Sequence, residues 1–129
     1  MIALFILLTL VSYLIDISTL KCKVDDIRVE ILRFIHHIIA SYGYFGSLFF
    51  GHYEFHLIYM VSVWLGWKIV KRLHGDEYCF VTRFVNDICG FNDTEKFHDI
   101  IWFSPLNNVH YMVFLFDFIM ILKTRNLLG

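Results

Sequence analysis

Apolar residues fall into four runs, each near the length that crosses a bilayer, and polar residues gather between them. A spanning helix needs about 20 mostly apolar residues, within a range of roughly 17–25. The first run, 1–20, has no charge before Asp16, and the second, 31–50, has none between Arg33 and Glu54. The third, 56–70, is short and carries Lys68 near its end, from where the ammonium can reach toward headgroups. The fourth, 106–122, contains Asp117, and Pro105 stands where the helix should begin, a position that suits a residue with no amide proton. None of these runs alternates as a barrel strand would, and in lipid every backbone polar group must be satisfied internally. The pattern predicts an all-α, single-domain helical membrane protein with four transmembrane helices.

The interval 71–104 is the one long polar stretch, and it reads as short amphipathic helices between the third and fourth spans. Val81, Phe84, Val85 and Ile88 follow i, i+3, i+4, i+7 spacing, and Gly90 can end that helix. Asn92 or Asp93 can cap a second helix with the apolar face Phe97, Ile100, Ile101. Both would lie on the membrane surface or over the mouth of the bundle.

Composition agrees with this reading. Hydrophobic residues make up 58% of 129 positions and charged residues 18%, against about 25% in ordinary soluble domains. A soluble domain this small needs polar residues to cover its large relative surface, so lipid is the expected solvent. The amino terminus lacks the basic start and small-residue cleavage site of a secretory signal, so it reads as an uncleaved anchor. Net charge is −1 and there is no Lys/Arg tract, which gives no footing for nucleic acid. Nucleotide-loop, zinc-protease and nucleophile-elbow motifs are missing.

Basic residues set the expected orientation. Lys21, Lys23, Arg28 and Arg33 surround the first connection; Lys68, Lys71, Arg72, Arg83 and Lys96 follow the third span; only Lys123 and Arg125 remain for the other side. Nine of the eleven Lys and Arg thus share one side, which predicts both termini on the non-cytoplasmic face. Cys22, Cys79 and Cys89 then lie on the reducing side, where free thiols are expected.

Polar residues at membrane depth are costly and invite a functional reading. His36, Ala40, Gly43, Ser47 and Gly51 fall on one helical stripe, where small residues let two backbones approach. The stripe turns His36 toward a neighbouring helix, as a hydrogen-bonding group or as a haem, metal or proton ligand. His36 lies ~8 Å above the inner end of its span and His56 a further ~25 Å away, by helical rise, so these two cannot hold one haem. His110 is at a compatible depth, which makes His36 and His110 the one candidate bis-imidazole pair. Asp16 and Arg33 stand near the ends of adjacent antiparallel spans and are expected to form an ion pair. Asp117, flanked by Phe116 and Phe118, is a buried acid expected to be protonated and hydrogen-bonded, with His110 in reach. The gaps between His74, Cys79, Cys89 and His98 are too wide for a structural zinc site.

The strip Cys79-Phe80-Val81-Thr82-Arg83-Phe84-Val85-Asn86, followed by Gly90 and Phe97, resembles the C-P-L-T-x-x-E-N segment of a family of small bacterial multi-pass membrane proteins of unknown function. Phe80 and Val85 stand where that family has Pro and Glu. Two His-bearing helices accompany the motif there, and His36 and His56 occupy similar places, so the likeness spans roughly residues 30–100. It implies a fold and brings no activity.

Two functions lead at this level, ahead of a membrane-embedded enzyme working on lipid headgroups by His/Asp acid–base chemistry, for which no nucleophile or metal-ligand set lies at one depth. One is a structural integral-membrane subunit of a larger assembly, such as the membrane-anchored layer of a large virion or an organellar complex, with lipid and other subunits as partners and no cofactor. The other is a haem-binding or proton-conducting bundle using His36, His110 and Asp117. No catalytic residues are expected in either.

Overall fold

The structure, a computed structural model, describes residues 1–19, 21–75, 79–90 and 109–127. Among these the protein is all-α: α1 (Ile2–Thr19), α2 (Ile27–Phe50), α3 (Tyr53–His74), α4 (Phe80–Cys89) and α5 (Val109–Thr124), with no strand. The expected second amphipathic helix, with Phe97, Ile100 and Ile101, lies outside the described residues.

Local chemistry explains the boundaries. α2 begins at Ile27, four residues before the apolar run, because Asp26 caps it by accepting the Arg28 amide proton at 2.9 Å. The Arg28 side chain also bonds this carboxylate and holds Asp26 below the ordinary carboxyl pKa. α2, α3 and α4 each end at a left-handed glycine: Gly51, Gly75 and Gly90. Gly51 was expected on the packing stripe of α2. It is instead exposed at φ +69° with its amide bonded to the Ser47 carbonyl, because the stripe runs one residue past the point where glycine turns the chain out of the helix.

α2 is the hub and packs against each of the other four helices. α3 and α5 run antiparallel: Arg125 bonds Glu54 at one end, and the Trp67 and His110 rings meet edge-on at the other. α4 lies along the first half of α2, with Val85 and Cys89 buried on Val29. Its buried face is Thr82, Val85 and Cys89, whereas Phe84 is exposed, so the apolar spacing read from sequence is turned by part of a step.

The cysteine expectation is corrected. Cys22 and Cys89 form a disulfide across 67 residues, and Cys79 is free. Their separation in sequence hid a contact that antiparallel packing of α4 on α2 creates.

The described interior is polar and the exterior apolar. Five hydrophobic residues are buried, against eleven polar or charged ones that include Asp16, Arg33, His37, His56 and Asp117. Leu4, Leu14, Ile31, Phe55, Ile58 and Phe118 are all exposed. Among the described residues only α1 is long and apolar enough to cross a membrane on length and composition alone. α2 and α3 dilute their hydropathy with His, Tyr, Ser, Gly and charged residues, and α5 has only 16 residues.

Close approach of α2 and α3 depends on two glycines. A Cβ on Gly43 would lie 3.3 Å from the Met60 sulfur; one on Gly46 would lie 2.7 Å from the Tyr42 ring and 3.0 Å from the His56 ring. Around Gly66, by contrast, there is open space. Gly43→Leu should therefore lower stability by about 1–3 kcal/mol through overpacking, whereas Gly66→Leu should cost less than half as much. Thermal unfolding of both variants in detergent checks the contrast.

Candidate functional site: a polar interior in two clusters

The first cluster joins α1 to α2. Thr9, Ser12 and Asp16 recur at helical spacing and form the buried stripe of α1. Facing them, Arg33, His37 and Ser41 form a buried row four residues apart on α2. Asp16 and Arg33 meet as an ion pair, Nη2 to Oδ2 at 2.8 Å, with both side chains 1% exposed. Arg33 Nε donates a second bond to the same oxygen at 3.2 Å, and its Nη1 donates to Glu30 at 3.1 Å. Tyr13 donates to the other Glu30 oxygen. His37 Nε2 lies 3.2 Å from Asp16 Oδ2, and its Nδ1 lies 2.8 Å from the Ser12 hydroxyl. The carboxylate accepts, so Nε2 carries the proton of that bond, and Nδ1 pairs with the Ser12 hydroxyl.

Ser12, His37 and Asp16 are the residue types of a hydrolytic triad, but the arrangement does not do that chemistry. Arg33 already neutralises the acid, and Ser12 is 3% exposed, so no substrate carbonyl reaches its oxygen. The cluster is a tie between helices.

The second cluster joins α3 to α5 and touches α2. His56 Nδ1 lies 2.5 Å from Asp117 Oδ2, and both residues are fully buried. His56 Nε2 donates to the Tyr42 carbonyl at 2.8 Å, which fixes that tautomer. One proton therefore lies between Nδ1 and the carboxyl. The second Asp117 oxygen is buried without a hydrogen-bond partner among the described residues, as is the second oxygen of Asp16. Asp117 is thus the buried acid anticipated from sequence, but its partner is His56, 61 residues away, and not His110. The helical repeat of α5 could show which face Asp117 shares with His110, but not which helix lies against that face.

The remaining anticipated residues are dispersed. His36 is buried, and its Nε2 lies 3.3 Å from Thr82 of α4. Ala40 and Gly43 floor an apolar groove between α2 and α3, walled also by Ile39, Tyr59, Met60 and Trp67, with His36 and Cys79 in its lining and a cavity volume of about 50 Å³. Ser47 is buried farther along α2. His110 packs against Trp67, Tyr111 and Phe114, so Trp67 is a neighbour that the His36 groove and His110 share. Among the described residues no three His, Cys, Asp or Glu side chains gather as a metal site. Cys89, one of the four widely spaced His and Cys residues, is taken up in the disulfide. No family model, curated protein or solved structure matches this chain.

Two outcomes follow. Arg33→Met should destabilise the protein by about 3–5 kcal/mol, because it strands a buried carboxylate, whereas the double change Arg33→Met with Asp16→Leu should recover much of that loss. Chemical unfolding of the single and double variants measures the coupling. At the second cluster, Asp117→Asn keeps a donor for His56 and should cost within about 1 kcal/mol, while Asp117→Leu leaves a bare buried nitrogen and should cost about 1–3 kcal/mol. A loss above 3 kcal/mol for Asp117→Asn would mean that the pair is ionic.

Proposed function

We propose that this protein is a four-span integral-membrane structural subunit of a larger assembly. The observation that carries the reading is the reversal of the usual distribution: ionisable and hydroxyl side chains inside, large apolar side chains outside. Water would penalise that exterior across four helices, and lipid does not. By helical rise α1, α2, α3 and α5 are ~27, ~36, ~33 and ~24 Å long, which brackets a hydrocarbon core of about 30 Å. A short span such as α5 is accommodated by local thinning or by flanking residues that reach the headgroups. α4, short and amphipathic, would lie at the membrane boundary.

The interior supports a structural role over transport. Arg33 fixes a positive charge beside His37, which opposes a proton moving through the first cluster. The groove lined by His36 is apolar nearly throughout, which interrupts any wire from there toward His56. Each polar cluster bridges helices, as interior charges in membrane bundles commonly do.

The disulfide bears on the kind of assembly. It lies at the end of the bundle where Lys and Arg concentrate, the end expected to face the cytoplasm. A cytoplasmic end stays reduced, whereas disulfides persist in oxidising settings that include virion surfaces. A particle membrane, inserted from the cytoplasm and later released, satisfies both the charge bias and the disulfide. The membrane layer of a large virion therefore fits better than an organellar complex, and both termini would lie opposite the disulfide. The alternative, a haem-binding or proton-conducting bundle, draws on the one-proton His56–Asp117 pair and on His36 and His110 flanking Trp67.

Gentle detergent extraction followed by native mass analysis, with an absorbance spectrum on the same sample, tests the choice. The expected result is a mass well above 15.4 kDa from bound protein subunits, with no Soret band. A monomer with no tendency to associate would contradict the structural role. A Soret band would favour the haem reading and make His36 and His110 the first residues to replace.

A further inference from the structure

We propose that the Cys22–Cys89 disulfide is a redox latch that holds α4 as a strap over His36. α4 has ten residues, below the roughly 12–15 at which an isolated helix begins to hold in water. Its place depends on what it touches. One end is fixed by the disulfide and by the Lys23 ammonium, which donates to the Gly90 carbonyl at 3.1 Å. The middle rests on a small apolar contact of Val85 and Cys89 with Val29. Near the other end Thr82 meets His36, which is 2% exposed. On the outer face of α4 Phe80 and Phe84 are exposed, and Val81 and Ile88 are only partly buried beside Val29. The disulfide is therefore the strongest tie on the shortest helix, and the group beneath that helix is an imidazole.

The two sulfurs differ in access. Cys89 is fully buried, whereas Cys22 is partly exposed on the connection between α1 and α2. A dithiol reductant would attack Cys22 Sγ; the sulfur–sulfur bond breaks and Cys89 leaves as a thiolate that takes up a proton. The second thiol of the reductant then attacks the mixed disulfide and releases Cys22. Two electrons and two protons pass to the protein, and the dithiol becomes a cyclic disulfide. Cys79 cannot exchange into the bond while α4 is intact, because it lies at the opposite end of the helix, ~15 Å along the axis. The Asp16–Arg33 and His56–Asp117 clusters make no bond to α4, so the four long helices should stay packed when the strap lifts.

The test uses the full chain in detergent micelles, with dithiothreitol as the dithiol. Alkylation after denaturation without reductant should label one cysteine, and three after reduction. Hydrogen exchange of residues 80–89 should then quicken at least about tenfold, and carbethoxylation of His36 should rise to match, while His37 and His56 stay protected. The double variant Cys22→Ser with Cys89→Ser should show the same open strap without reductant. Three labelled cysteines before reduction would overturn the proposal by removing the bond. Unchanged exchange in α4 after complete reduction would overturn it too, and so would loss of protection throughout the bundle, which marks a structural staple and not a latch.

Discussion

A charge taken out of water must find its partner inside the protein, and the Asp16 carboxylate and Arg33 guanidinium find each other. Two N–H groups of one guanidinium hold one carboxylate oxygen, with both residues buried. Leaving either alone would cost several kcal/mol, on the order of 3–5. The pair therefore dictates how α1 lies on α2, and from that follow the placement of His37 and Ser12 and the end of the hairpin that carries Cys22. The helix that gains most from this arrangement is α2, which every other helix uses as its support.

The second half of the bundle is held differently. α3 and α5 share a proton between His56 and Asp117, and the chain reaches that geometry only because glycines at 43 and 46 let α2 approach α3 closely enough for His56 to meet the Tyr42 carbonyl. The two clusters thus use different chemistry for one purpose. An ion pair serves near the end of its hairpin, and a buried imidazole–carboxyl hydrogen bond joins α3 to α5.

What the sequence reveals of this follows from distance along the chain. Asp16 and Arg33 are 17 residues apart on consecutive helices, so hairpin geometry alone suggests their contact. His56 and Asp117 are 61 apart, and nothing in the helical repeat of either helix specifies which neighbour it will face. The disulfide was missed for the same reason: orientation by charge counting speaks to the compartment, whereas the packing of α4 along α2 decides which thiols meet. The capping glycine at 90 is legible because glycine accepts the left-handed conformation, whereas the same cap at Gly75 was not read from the sequence. Gly51 misleads because the same residue type also serves close helix packing.

The proposed membrane placement requires the apolar exterior to face lipid. Nitroxide labels at Ile6, Ile58 and Ile119, all exposed and on three different helices, would report this directly in reconstituted bilayers. Collision with dissolved oxygen, which concentrates in hydrocarbon, should exceed collision with a water-soluble nickel complex at all three sites. Nickel access that exceeds oxygen access at these positions would contradict the membrane bundle and require another protein surface to cover them.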